Sequence, residues 1–175
     1  MREKVMAAWL LAVILIINYA IYEKELIKNY GKAVFVKLRP YYKHSTVQRD
    51  YVPYRHSLIQ GDYVLLKYDI EEQIPKSDID SYPDMGYIVI TTSASNIASF
   101  LRLYRGESLA SDEKLLRFKK NNNSIRVLPN SFLFQSGKYS SYENSRYGLF
   151  RFSNSGRDYV LVNLADNDKR LISVS

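Results

Sequence analysis

The chain predicts a mainly β fold, a small antiparallel barrel or sandwich of short strands and hairpins, with one N-terminal transmembrane helix and one short helix. Three observations predict it. Sixteen tyrosines and many short runs of Val, Ile and Leu suit the pleated, half-buried surface of strands. These runs alternate apolar with polar residues and are punctuated by Gly, Pro and Asn, the pattern of strands joined by turns. The first apolar run differs: Val5 to Ile17 is unbroken, and Asn18-Tyr19-Ala20-Ile21-Tyr22 extends it to 18 residues. That is near the lower length for a helix crossing the ~30 Å hydrocarbon layer.

The chain divides accordingly into a short basic head (residues 1–4), a transmembrane anchor (5–22), a helical stem (23–31) and a single β-rich domain (32–175). Trp9 at one end of the anchor and Tyr19 and Tyr22 at the other fit interfacial aromatic positions. Small residues spaced for signal cleavage are missing around Asn18-Tyr19-Ala20, so the segment reads as retained rather than cleaved. Asn18, the strongly polar side chain of the span, is placed near the interface or against a neighbouring helix. Basic residues flank both sides, Arg2 and Lys4 before and Lys24, Lys28 and Lys32 after. A long domain translocates largely regardless of charge, which favours an amino terminus inside and the domain outside.

The net charge of +7 favours anionic lipid surfaces, acidic glycans or nucleic acid as partners. No more than two basic residues are adjacent, so much of this charge is interspersed and solvating. The absence of cysteine excludes disulfides, Cys-ligated zinc, iron–sulfur clusters and thiol catalysis.

Gly31 stops the stem. Ala33 to Arg39 forms the first strand, with Val34, Val36 and Leu38 on one face, and Pro40 ends it. Tyr41 to Gln60 is expected as a long exposed loop, and Glu71 to Met85, acidic and containing Pro75 and Pro83, as a second irregular connection. Hairpins are expected for 86–92 with 97–105, for 115–119 with 124–128, and for 148–153 with 158–164. Tyr139 and Tyr142, at i and i+3, mark a short helix within 139–146, and 171–174 suggests an edge strand.

Gly61-Asp62-Tyr63-Val64-Leu65-Leu66-Lys67-Tyr68 opens the most strongly patterned strand. Gly-Asp suits a tight entry turn; Tyr63, Leu65, Lys67 and Asp69 then share an exposed face, and Val64, Leu66, Tyr68 and Ile70 a core face. Gly61, Asp62, Tyr63, Leu66 and Tyr68 match in register the motif from which the GDYXXLXY family of bacterial membrane-anchored proteins takes its name. Residues 130–137 (Asn-Ser-Phe-Leu-Phe-Gln-Ser-Gly) and 142–148 (Tyr-Glu-Asn-Ser-Arg-Tyr-Gly) resemble the C-terminal part of that family, so the resemblance spans about residues 5 to 165. Gln60 and Ser136 stand where the family pattern commonly has a basic and an acidic residue. The resemblance implies a small cell-envelope protein, single-pass in the bacterial cytoplasmic membrane, often encoded beside multi-spanning membrane proteins.

Several constellations invite chemistry. The Gly-Asp strand is also similar to the barrel strand of type I signal peptidases and related Ser/Lys proteases, which would make Ser57 a nucleophile and Lys67 its base. The Ser-Met context of those enzymes is absent, and Lys67 falls on the exposed face. His44 and His56 lack the helper spacing of a metal site or acid–base pair. Glu71-Glu72 and Asp78-Asp80 suggest calcium without the spacing of an EF loop. Arg49-Asp50-Tyr51-Val52-Pro53-Tyr54-Arg55 interleaves rings and cations as single-strand binders do, yet a domain outside the cytoplasm is not expected to meet nucleic acid. No catalytic residue, metal or cofactor is assigned. The expectation is an accessory or interaction subunit of a multi-spanning membrane protein, with Tyr63, Lys67, Arg146 and Tyr147 as its partner surface. A Ser/Lys-type hydrolase and a binder of envelope glycans or other anionic ligands are the alternatives.

Overall fold

The apolar run forms one uninterrupted helix, α1 (Arg2–Tyr30), of 29 residues, about 43 Å at 1.5 Å per residue. The computed structural model describes residues 2–39, 41–42, 49–50, 54–57, 61–75, 82–121 and 124–173. Within α1, Lys4–Tyr30 is long and apolar enough to cross a membrane. Its large apolar side chains are uncovered by the described residues: Trp9 is 70% exposed and Ile16 68%. The Asn18 amide donates to the Ile14 carbonyl at 2.8 Å, so this polar group is satisfied inside the helix.

The stem continues α1 without a break and is tied to the domain at its end. Gly31 donates its N–H to Ile27 O at 2.8 Å. A Cβ on Gly31 would lie 2.4 Å from that oxygen and 2.7 Å from Phe152 O, so glycine is required by the close approach of a strand. Arg151 donates from Nη1 to Asn29 O at 3.2 Å and Gly31 O at 3.1 Å, satisfying carbonyls at the helix end. Five residues before Asn29, Lys24 pairs with Asp158 at 3.1 Å.

The strands follow as β1 (Lys32–Lys37), β2 (Tyr41–Tyr42), β3 (Arg49–Asp50), β4 (Tyr54–Ser57), β5 (Gly61–Leu65), β6 (Met85–Thr92), β7 (Ala98–Leu103), β8 (Lys114–Asn121), β9 (Ser124–Val127), β10 (Ser131–Phe134), β11 (Tyr147–Phe152) and β12 (Tyr159–Ala165). A 3-10 turn (Asp69–Glu72) follows β5, and a short helix, α2 (Tyr139–Tyr142), precedes β11. The described strands form antiparallel sheets in the orders β1-β11-β12, β10-β5-β4, β2-β3 and β7-β6-β8-β9. Isolated bridges, Phe35 with Ile97 and Leu38 with Tyr68, stitch the sheets together. The mainly β, antiparallel class with two helices is therefore the observed one.

One apolar cluster lies between the sheets. It takes Val34 and Val36 from β1 and Leu38 just beyond it, Val64, Leu66, Tyr68 and Ile70 from the signature stretch and the turn after it, and Phe118, Phe150 and Phe152 from across the core. These are the faces that alternation assigned. Each such side chain contributes roughly 1.5–3 kcal/mol through burial. All three expected hairpins form, the first turning at Asn96 (φ +58°) and the last at Gly156 (φ +70°). A bulge between Val89 and Ile90 lets Ile88, Val89 and Ile90 all be buried in succession.

Four expectations need correction. The stretch 41–60 is not simply a loop, since β2, β3 and β4 lie in it; the sequence of β4 (Tyr-Arg-His-Ser) carries no apolar alternation, and its backbone pairs with β5. Gly61 is a paired strand residue opposite Ser57 rather than a turn residue. β10 was not anticipated: four residues after Pro129 give too short a pattern. At the other end, Leu171 makes one bridge to Ala165 instead of starting a strand, and Val174 lies outside the described residues.

Candidate functional site

The signature turns out to be a joint. Asp62 is 4% exposed and its Oδ2 accepts the Gly137 N–H at 3.2 Å. Gly137 sits at φ +83°, a conformation that favours glycine. Leu66 N–H donates to Asn130 O at 2.8 Å. Tyr68 is wholly buried; its hydroxyl donates to Pro129 O at 2.7 Å and its ring meets Phe150 edge-on at 5.7 Å. A Cβ on Gly148 would reach Leu161 at 3.2 Å and the Tyr68 ring at 3.5 Å. The α2 residue Tyr142 covers β10, packing on Phe132 at 5.6 Å and Phe134 at 5.1 Å. The three stretches that carry the family resemblance thus meet around Tyr68.

Tyr63 is half-buried on the outer side of β5, opposite Arg55 of β4 and Leu133 of β10. Lys67, Arg146 and Tyr147 are also half-buried, not fully exposed. Lys67 O accepts from Arg39 N–H at 2.7 Å, and Arg146 O accepts from Leu38 N–H at 2.8 Å. Tyr147 pairs with Lys37 and packs its ring edge on Phe35 at 6.2 Å. The segment 37–39 therefore gathers Lys67, Arg146 and Tyr147, whereas Tyr63 stands farther up β5 in another sheet.

The other candidates separate. Ser57 faces Gly61 across the hairpin, and Lys67 lies six residues beyond Gly61, about 20 Å of extended chain. His56 pairs with Asp62 through the backbone, while His44, Gln60, Asp78 and Asp80 fall outside the described residues. Glu71 accepts the Val127 N–H at 3.0 Å. Burial pushes its carboxyl up to about 7, against that hydrogen bond and the charges of Arg126 and Lys67. Glu72 pairs with Arg39. Among the described residues no group of three or more His, Asp or Glu side chains is placed to hold a metal.

Two concavities flank the junction of helix and domain. A groove of about 490 Å³ runs between α1 and the β11–β12 turn, lined by Ala20, Leu26, Ile27 and Tyr30 on one side and Asn154 and Ser155 on the other. It shares Lys24 and Asp158 with a cleft of about 470 Å³, whose walls include Tyr87, Arg117, Pro129, Arg157 and Tyr159. Tyr159 is a fixed wall: its hydroxyl accepts the Arg117 N–H at 3.0 Å and donates to Leu128 O at 2.8 Å. Burial pushes it up to about 12, so it stays neutral at physiological pH. Sequence reasoning missed this cleft, because its residues come from α1, β6, β8 and the start of β12 and share no motif.

No curated protein and no solved structure matches the chain. The family described as GDYXXLXY protein matches residues 13–164, a range that holds the second part of the apolar run, the signature and every strand through most of β12. The chain belongs to the GDYXXLXY family.

Proposed function

We propose that the chain is a single-pass protein of the bacterial cytoplasmic membrane whose β domain, on the extracytoplasmic side, is a non-enzymatic accessory subunit of a multi-spanning membrane protein. The observation that carries this reading is the junction. α1 enters the domain without a break, Gly31 packs against Phe152 O, and Arg151 and Asp158 hold the last turns. A loose tether lets a domain tumble. A clamped one fixes which face meets the bilayer, which is what docking on a membrane partner requires. The uncovered apolar length of α1 offers contact to lipid or to a partner's helices.

The test is purification of the full-length chain from membranes in mild detergent. A multi-spanning protein should copurify, and Tyr63→Ala or Arg146→Ala should weaken its capture by more than the small loss of stability seen in melting curves accounts for. Release of the chain by carbonate, or a mature amino terminus near Ile21, would defeat the anchor; capture of no membrane protein by the wild type would defeat the partner.

A further inference from the structure

The cleft beside the helix is placed and charged for a ligand. Its depth follows from α1. Lys24 stands two residues beyond Tyr22, where the apolar run ends, about 3 Å along the axis. The β11–β12 turn reaches the same level, since Asn154 and Ser155 line the neighbouring groove with Ala20 and Glu23. If α1 spans the bilayer, the cleft lies at the depth of lipid headgroups.

Its charge is unbalanced. Among the described residues that line it, Lys24, Arg117 and Arg157 stand with one carboxylate, Asp158, and that carboxylate is engaged by Lys24 at 3.1 Å. The two guanidinium groups have neutral side-chain partners. Arg157 donates to Tyr104 Oη at 3.3 Å, and Arg117 to Met85 Sδ at 3.7 Å. A guanidinium has five N–H donors in a planar fork, and each of these contacts uses one of them. Pro129 and the ring of Tyr159 supply rigid walls, and Asn130 a polar rim.

We propose that this cleft binds a phosphate group, presented by an anionic phospholipid headgroup or by a soluble phosphoester, with Arg117 and Arg157 as the forked donors and Lys24 as the third cation. Arginine matches phosphate oxygens two at a time, and basic pockets beside membrane helices recognise anionic headgroups in this way. The proposal rests on α1 lying in a bilayer, as in the function proposed above, but not on any protein partner. The depth of the cleft favours the lipid.

The experiment uses the full-length chain purified in non-ionic detergent, with retained phosphatidylglycerol and phosphatidylcholine counted by native mass spectrometry. Wild type should keep phosphatidylglycerol in preference to phosphatidylcholine. The double variant Arg117→Gln/Arg157→Gln should lose about tenfold or more of it, as expected when charge-assisted hydrogen bonds to phosphate are removed. Arg117→Lys/Arg157→Lys, which keeps the charge without the fork, should fall between them. Arg170→Gln, five residues beyond the end of β12, should change nothing. Melting curves of every variant separate loss of binding from loss of fold. A second arm titrates glycerol 3-phosphate and inorganic phosphate: binding that the double variant abolishes assigns a soluble phosphoester, and no binding assigns the lipid. Equal retention by wild type and double variant together with no phosphoester binding that the double variant abolishes, or an equal loss in Arg170→Gln, overturns the proposal. Copurification of a membrane partner is read in the same preparations, so failure here is distinguishable from failure of the accessory-subunit reading.

Discussion

Glu71→Gln should stabilise the domain above neutral pH and leave it unchanged in acid. The carboxyl sits in the 3-10 turn after the signature, accepts the Val127 N–H at 3.0 Å, and is pushed by burial from 4.5 up to about 7. Between these values the folded chain holds a proton that the unfolded chain has released. Stability therefore falls as pH rises through this window and is lowest above pH 7. The gap of about 2.5 pH units, at about 1.4 kcal/mol each, amounts to about 3.5 kcal/mol. Glutamine keeps an oxygen for Val127 N–H and carries no charge at any pH, so it removes the dependence without removing the bond. Urea unfolding of the full-length protein in non-ionic detergent, followed by tyrosine near-ultraviolet dichroism at pH 5 and pH 8, measures both. The wild type should lose stability between the two values, and Glu71→Gln should not. Identical pH slopes in the two proteins would show that Arg126 and Lys67 hold the charged carboxylate at no net cost, and the burial argument would be wrong.

Three other outcomes follow from the packing. Leu66→Ala removes a wholly buried side chain and should cost about 2–5 kcal/mol, whereas Tyr63→Ala, half-buried on the outer face, should cost less; melting curves giving the reverse order would mean the strand is inside out. Gly31→Ala brings a Cβ within 2.4 Å of Ile27 O and 2.7 Å of Phe152 O, so it should loosen the junction and speed proteolysis between α1 and β1. Tyr68→Phe leaves the Pro129 carbonyl without its hydroxyl partner at 2.7 Å and should lower stability by about 1–3 kcal/mol, read as a shift in the urea midpoint at unchanged slope.

The parts of this fold that were legible in the sequence are those where burial and period agree. Val34, Val36 and Leu38, and Val64, Leu66 and Tyr68, alternate because one face of each stretch is sealed in the core. The hairpins were legible for the same reason, with Asn96 and Gly156 supplying the positive φ their turns require. β4 was not, because it is a short flanking strand with little apolar pattern in its sequence, and β10 was not, because its four residues are too few to establish a period although Phe132 and Phe134 pack on Tyr142. The joint was half visible: the motif was plain, but Asp62 seemed a turn former when it is a buried acceptor for Gly137, 75 residues on. The cleft was invisible, since Lys24, Arg117 and Arg157 become neighbours only after α1 is clamped to the β11–β12 turn.

The joint and the cleft are also connected to one another. Pro129 accepts the Tyr68 hydroxyl on the core side and lines the cleft on the other; its neighbour Leu128 accepts the Tyr159 hydroxyl, and Leu66 N–H holds Asn130. The wall formed by 128–130 is thus pinned from within by the signature stretch. A residue that never touches the ligand can in this way set the position of a surface that does. Tyr68→Phe should then lower phosphatidylglycerol retention as well as stability, while Leu66→Ala, which keeps both the backbone bond to Asn130 and the Tyr68 hydroxyl, should lower stability at little cost to retention when both are compared well below their melting points. Retention tracking stability alone across the two variants would show that the signature supports the fold in general and has no particular hold on the cleft.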